Sequence, residues 1–173
     1  MVGNLDWRPA GGHPDLLAAP VAAAVGAVPD ALAAAIDPAL ADTAAFCEHY
    51  AVPLEASANC VIVVARRGGE VAYAACMVLA TDRADVNGVV RRHLGARKAS
   101  FAPMDDATRL TAMEYGGITP VGLPAGWPVL VDEAVAAAPQ VVIGSGLRAS
   151  KLLVPGKALA DLPNAATVAL AQR

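Results

Sequence analysis

The spacing of hydrophobic and polar positions changes several times along the chain, and each change marks an element. Between residues 60 and 79 the stretch CVIVVARRGGEVAYAACMVL holds two β-rich apolar runs around Arg67, Gly68 and Gly69, which predicts a β-hairpin. From Asp42 the segment DTAAFCEHYAV places Ala45, Phe46 and Tyr50 on one stripe behind an Asp42 or Thr43 N-cap, and predicts a helix. TDRADVNGVVRRHLG predicts another, opening after Thr81 or Asp82 and closing at Gly95, whose freedom in φ suits a C-terminal cap. A short strand through Ala99 to Phe101 follows, and then a helix over 103–112 with Asp105 and Asp106 in its first turn. PVLVDEAV, PQVVIGSG and KLLV read as short strands, with a turn and helix from Pro155. Nearer the N-terminus a helix is expected from Asp15, bent early by Pro20. ALAAAI, residues 31–36, fits either type, because alanine favours helix while Pro29 and Pro38 leave room only for a short element.

Short strands outnumber helices, and several are joined by tight turns. The expected architecture is a single α/β domain with a mixed, mainly antiparallel, curled and barrel-like sheet and helices around it. Residues 1–14, polar and rich in Gly and Pro, form a loosely held N-terminal arm; residues 15–173 form the domain, without internal repeats. A chain of 173 residues can bury roughly 70% of its unfolded surface. With 41 alanines and 4% aromatic residues, its core must use small side chains with Val and Leu, which favours close backbone packing.

Charge narrows the function classes. A net charge of −3 argues against a strongly basic binder of DNA. The basic residues nevertheless gather at Arg66 and Arg67, at Arg91, Arg92, Arg97 and Lys98, and at Arg148, Lys151 and Lys157. Cys47, Cys60 and Cys76 are odd in number, lack CxxC spacing and have apolar neighbours, so they read as buried thiols in a reduced, cytoplasmic protein. LLAAPVAAAVGAV, residues 16–28, is apolar enough for a leader, but Asp6 and Asp15 precede it with only Arg8 as a cation, so export and membrane insertion are not expected.

The chemistry-bearing residues are sparse. His13, His49 and His93 have no metal-ligand spacing, and no GxSxG, P-loop or GxGxxG motif occurs. The pairs Asp105/Asp106 and Asp132/Glu133 are weak acid/base candidates, the first having a helix-start role already. What stands out is MEYGGITPVGLP, residues 113–124, with Gly-Ser-Gly at 144–146. Glycine lets a backbone approach a ligand and proline stiffens it, so both segments can present main-chain N–H groups to an anionic or carbonyl oxygen.

GGITPVGLP (116–124), VLVDEAV (129–135), VVIGSGLRASKLLV (141–154) and VPLEASANCVIVV (52–64) together resemble the YbaK/ProX-type aminoacyl-tRNA deacylases, relatives of the editing insertion in bacterial prolyl-tRNA synthetases. The resemblance covers about residues 30–160. It implies the YbaK/ProRS-associated fold, an early strand at ALAAAI, and a pocket for the 3′-terminal adenosine and a wrongly attached amino acid. By that resemblance Gly116, Gly117, Thr119, Pro120, Gly144 and Gly146 line the pocket. Lys151 reaches phosphate or solvates a strand edge, and Ser145, with no base beside it, donates a hydrogen bond to substrate or water. The implied partner is the 3′ end of a mischarged tRNA, with room for an aminoacyl-tRNA synthetase; metal and organic cofactor are not implied.

The chain departs from the family at one position. Where these deacylases carry a lysine in a V-K-[ST]-L pattern after VPL, this sequence has Asn59, which can donate and accept hydrogen bonds but has no charge. Either another cation, Lys151 or Lys98, makes Asn59 sufficient for trans-acting deacylation, or the pocket binds an aminoacylated end or nucleotide without efficient hydrolysis. A strand-start role in which Asn59 bonds local backbone, and a different small-molecule hydrolase on the same scaffold, are the remaining readings.

Overall fold

The computed structural model describes residues 1–172. In chain order the elements are β1 (Arg8–Pro9), α1 (Ala19–Ala24), β2 (Leu32–Ala35), α2 (Thr43–Tyr50), β3 (Ala58–Arg67), β4 (Glu70–Leu79) and β5 (Arg83–Ala84). A π-turn (Val86–Val90) then runs into α3 (Arg91–His93), followed by β6 (Lys98–Phe101), α4 (Met104–Thr111), β7 (Val129–Asp132) and α5 (Glu133–Ala136). The chain continues through β8 (Val141–Gly144), β9 (Ser150–Val154), α6 (Gly156–Ala160), β10 (Ala165–Val168) and β11 (Ala171–Gln172).

The expected hairpin is β3–β4, with Arg67 opposite Glu70 and a two-residue turn at Gly68 and Gly69. Both glycines have positive φ, 56° and 85°, as a tight turn matched to strand twist requires. The strands form a four-stranded sheet in the order β1-β2-β9-β8, a five-stranded sheet in the order β10-β7-β4-β3-β6, and the small pair β11-β5. Pairing is mixed and mainly antiparallel: β10–β7 and β7–β4 are parallel, and the other strand pairs antiparallel. The barrel-like expectation is corrected, because the two large sheets do not close on themselves. They meet at the isolated parallel bridge Ser57↔Val142 and keep separate edges.

β4 explains why the five-stranded sheet holds the centre. Ala75 and Met77 are fully buried; Met77 packs into the cluster with Val131, Ile143 and Leu152, while Ala74, Cys76 and Val78 fill a second cluster with Val63, Val90 and Leu170 on the other face. Burial on both faces makes the run continuously apolar, where a half-exposed strand would alternate. ALAAAI contains strand β2: Ala33 and Ala34 are wholly buried opposite Leu152 and Lys151, so pairing on β9 overrides alanine's helical preference.

Three boundaries differ from expectation. The arm over residues 1–14 is tied down, Arg8 and Pro9 pairing with β2 and Asn4 N–H donating to Tyr50 O at 2.7 Å. The helix expected from Thr81 begins only beyond Asp85, because Arg83 and Ala84 are taken up by β11 and the Asp85 carboxylate accepts from Gly88 N–H (3.0 Å) and Val89 N–H (3.2 Å). The strand in PVLVDEAV stops at Asp132, whose buried carboxylate caps α5 through Ala134 N–H (3.1 Å) and holds the C-terminal segment through Leu170 N–H and Ala171 N–H, both 3.1 Å.

Removing that acceptor strands three donors at once, Leu170 N–H buried and Ala134 N–H and Ala171 N–H partly buried. Asp132→Ala should lower the unfolding free energy by about 3 kcal/mol, with Asp132→Asn intermediate. Denaturant titration checks this, and an unchanged midpoint for the alanine variant would contradict the anchoring role.

Candidate functional site

The site begins where two sheets end. β6 covers β3 only from Val63 to Arg66, so the first residues of β3, Ala58 to Val61, have no strand neighbour on that side among the described residues. Across the gap stand the end of β8 and the start of β9, where Gly144 lies directly opposite Lys151. The loop leading into α2 supplies Ala41, Asp42 and Thr43, and the glycine-proline loop supplies Tyr115, Gly116 and Ile118. Together they enclose an open cleft of about 350 Å³.

Two turns meet at the cleft through main chain. Gly146 N–H donates to Gly117 O at 2.7 Å, and Glu114 N–H donates to Gly146 O at 2.9 Å. A Cβ on Gly144 would overlap the carbonyls of Gly117 and Ile118, and one on Gly117 would come within 2.7 Å of the Leu147 carbonyl. Arg148 fastens the same junction: its N–H donates to Glu114 Oε1 (2.8 Å), and its guanidinium donates to Tyr115 O and Pro38 O, both 3.1 Å. The loop is therefore a wall held at fixed depth.

Two polar side chains face into it. Asn59 is half-buried and its Oδ1 accepts the Thr43 hydroxyl at 2.7 Å, which leaves the amide N–H₂ for the cleft. Lys151 is buried to 8% exposure, its ammonium donating to Ala41 O at 3.1 Å and lying 5.1 Å from the centre of the Phe46 ring. Burial holds its pKa below the ordinary 10.5, an effect opposed by the neighbouring Cys47 thiol and Asp42 carboxylate and increased by Arg148. Exposed Asp42 and Tyr115, 54% exposed, stand at the mouth.

The expected site residues thus separate into two groups. Asn59, Gly116, Gly144 and Lys151 converge on the cleft. Gly117 and Gly146 lie behind it in the backbone junction, and Thr119 is fully buried with a hydroxyl that makes no hydrogen bond to protein. Pro120 opens onto a different cavity, shared with Gly122 and Trp127. Ser145 is corrected most clearly. It is fully buried, its Oγ lies 2.7 Å from Ser150 Oγ, and it accepts Leu147 N–H at 3.2 Å, so the hydroxyl holds the turn and does not face a ligand. Lys98 sits opposite Arg66, seven residues along β3 from Asn59, and lies outside the cleft.

Thr43, Asp42 and Tyr115 also line the cleft, and Arg148 braces its wall, without a sequence motif that marks them. The signal for the first two was present but had a complete local explanation as a helix cap; Asp42 occupies the N-cap yet makes no side-chain cap bond. Cys47 and Cys76 are buried as expected, whereas Cys60 is only partly buried and lines the cleft; desolvation pushes the Cys47 and Cys60 thiols upward and Cys76 to about 12.

Residues 37–162 match the family model for the aminoacyl-tRNA editing domain. The chain belongs to this family. No curated protein matches it by sequence. Among solved structures, a candidate trans-editing enzyme for prolyl tRNA synthetase superposes with a TM-score of 0.76 at 19% identity, covering 90% of this chain and 97% of that one. The hypothetical protein APE2540 gives 0.68 at 20%, covering 76% and 85%. A candidate signal transduction protein from Marinobacter aquaeolei VT8 gives 0.57 at 19%, covering 88% of this chain and 30% of that longer one. At such identities these structures establish the shared fold. Among the described residues no helix is long and apolar enough to cross a membrane.

If Ser145 is a structural hydroxyl, Ser145→Ala should lower the unfolding free energy by about 1–2 kcal/mol by uncoupling Ser150 and Leu147. A denaturation midpoint equal to wild type would mean that the hydroxyl points elsewhere.

Proposed function

We propose that this editing domain hydrolyses, in trans, the ester joining a noncognate amino acid to the 3′-terminal ribose of tRNA. The observation that carries the reading is the placement of Lys151: it brings a cation from β9 into the cleft bordered by Asn59, the position where the family resemblance leads one to expect lysine. In this reading Lys151 stands in for the missing charge.

Water adds to the ester carbonyl carbon, negative charge gathers on the carbonyl oxygen, and the ribose oxygen leaves with a proton. In this scheme the Lys151 ammonium offers a fixed positive charge to the developing oxyanion or to the adjacent phosphate. Asn59, its rotamer held by Thr43, donates from its amide to the ester or to the attacking water. The bare backbones of Gly116 and Gly144 form the wall against which the sugar and adenine pack, while Gly117, Thr119, Pro120, Ser145 and Gly146 support that wall from behind.

Purified protein should release amino acid from at least one member of a panel of mischarged tRNAs, and Lys151→Met should slow that release by about 10²-fold while remaining folded. Turnover indistinguishable from buffer across the panel would refute the catalytic reading. The second reading, a binding-only module, is favoured by the uncharged Asn59; it gains if the wild type binds without turnover and Asn59→Lys starts hydrolysis.

Titration gives an independent check with opposite signs for binding and stability. The ammonium is lost as pH rises through the Lys151 pKa, which lies below 10.5, so affinity for a non-hydrolysable aminoacyl-adenosine should fall there. Because burial disfavours the charged form, the folded-state pKa is depressed. The wild type's stability relative to Lys151→Met should be greatest above 10.5 and decline as pH falls through the folded value. Calorimetric unfolding and binding on both proteins measure this, and parallel pH profiles for the two would remove Lys151 from the site.

A further inference from the structure

Outside the cleft, the strongest unassigned feature is the outer edge of the five-stranded sheet. β6 is an edge strand, antiparallel to β3, with Phe101 opposite Val63 and Lys98 opposite Arg66. Phe101 is 64% exposed. Together with Asn59 and Val61 it lines a cavity of about 490 Å³ beside the cleft, so the aromatic ring and the candidate site share a border.

At the other end of the same edge lies a concentration of charge. Arg66, Arg67, Arg97 and Lys98 surround a depression of about 220 Å³, with Glu70 as its single acidic residue. All four are exposed, and none forms an ion pair among the described residues. Arg91 and Arg92 lie on adjoining α3, and just beyond that helix the Gly95 carbonyl accepts from Arg67 Nη1 at 3.0 Å. Residues 66–70 and 91–98 thus hold six of the 13 lysines and arginines in a chain of net charge −3. Such asymmetry is the footprint expected of a phosphate-bearing partner.

We infer that the β6 edge is where the tRNA acceptor arm lies, unpaired 3′ nucleotides against Phe101 and stem phosphates against Arg66, Arg67, Arg97 and Lys98. The inference rests on the editing reading for the identity of the ligand, and on charge and geometry for its path. At about 3.3 Å per strand residue, Asn59 to Arg66 spans about 23 Å, the rise of roughly seven stacked nucleotides at 3.4 Å each. A ligand with its terminal adenosine in the cleft therefore reaches the basic end with its paired stem. Bases stack on exposed aromatics without regard to sequence, which suits Phe101 to the segment next to the terminus.

Edge strands also carry Lys and Arg simply to discourage pairing with other sheets. The test separates these roles. The Arg66→Gln, Arg67→Gln, Arg97→Gln, Lys98→Gln variant should bind deacylated tRNA at least about tenfold more weakly at 0.1 M salt, with the slope of log K against log salt flattened by about 3. Single substitutions should each flatten it by about 0.7–0.9, which guards against a misfolded quadruple variant. Removing Arg8, Arg109 and Lys157, exposed elsewhere, should leave the slope unchanged. Phe101→Ala should weaken binding of a CCA-ending trinucleotide at least about fivefold.

Hydrolysis of a 3′-aminoacyl-adenosine should be the same in the quadruple variant as in wild type. Wild-type affinity and salt slope in the quadruple variant, with or without self-association, overturn the inference, as does an unaltered trinucleotide affinity in Phe101→Ala. The two readings fail separately. A wild type that binds tRNA along this edge but hydrolyses no ester keeps the inference and refutes the catalytic reading; one that hydrolyses aminoacyl-adenosine with no gain from the tRNA body does the reverse.

Discussion

The cleft depends on two stretches of main chain lying closer together than side chains would permit. Gly117 faces the Leu147 backbone, Gly144 faces the carbonyls of Gly117 and Ile118, and Gly146 N–H closes the junction on Gly117 O. One such hydrogen bond contributes only about 1 kcal/mol net, so its importance is geometric. It fixes the distance between the glycine-proline loop and the β8–β9 turn, and hence the width of the space that Lys151 and Asn59 border. A methyl group at these positions would push the wall outward and leave a surface turn where there is now a cleft.

The rest of the fold keeps that junction in place. β8 and β9 are buried along their lengths, with Leu152, Leu153 and Val154 wholly inaccessible, so the residues at the β8–β9 turn start from fixed points. On the opposite side, β3 is held by ten paired positions on β4 and then left uncovered where β6 ends. An edge without a strand neighbour is ordinarily a hazard, because its main-chain groups invite pairing with another sheet. Here the first residues of β3 face the loop wall and the start of α2, which converts an open edge into one side of a pocket. Alanine suits this arrangement: Ala33, Ala34 and Ala75 let strands and neighbouring layers approach without large side chains between them.

Much of this was legible from residue order, and the exceptions have physical causes. The β3–β4 hairpin carried its own instructions in two apolar runs and a glycine pair, and α2 and α4 carried theirs in stripe and first-turn chemistry. β2 was not legible from alanines alone, since what makes it a strand is pairing with residues more than a hundred positions away. Sheet closure was likewise hidden, because nothing local in a strand says whether its far neighbour returns to it. At the site, Asn59, Lys151, Gly116 and Gly144 border one cleft, whereas Ser145 is buried in the turn behind it. A serine between two glycines looks available for a ligand, and only the Ser150 hydroxyl five residues later, turned back onto Leu16 O at 2.6 Å, shows why it is not. Composition and motif give the residues of a site sooner than they give their directions.

Under the proposed function, a cation moved from β3 to β9 changes more than its address. A lysine on the free edge of β3 would be a flexible, hydrated charge, and fixing it on a ligand would sacrifice rotamer entropy at that moment. Lys151 has lost that freedom already: its stem runs through the protein past Phe46, and its ammonium is held by a carbonyl from the loop that opens α2. The desolvation that depresses its pKa is the energetic consequence, met during folding and not during binding. In the proposed reading, an anionic group entering the cleft would find a charge already stripped of much of its water and fixed in position, conditions under which a single ammonium exerts its greatest effect. Asn59 fits that division of labour. On that reading the charge comes from across the gap, and the β3 position needs only a neutral donor, whose rotamer the Thr43 hydroxyl fixes.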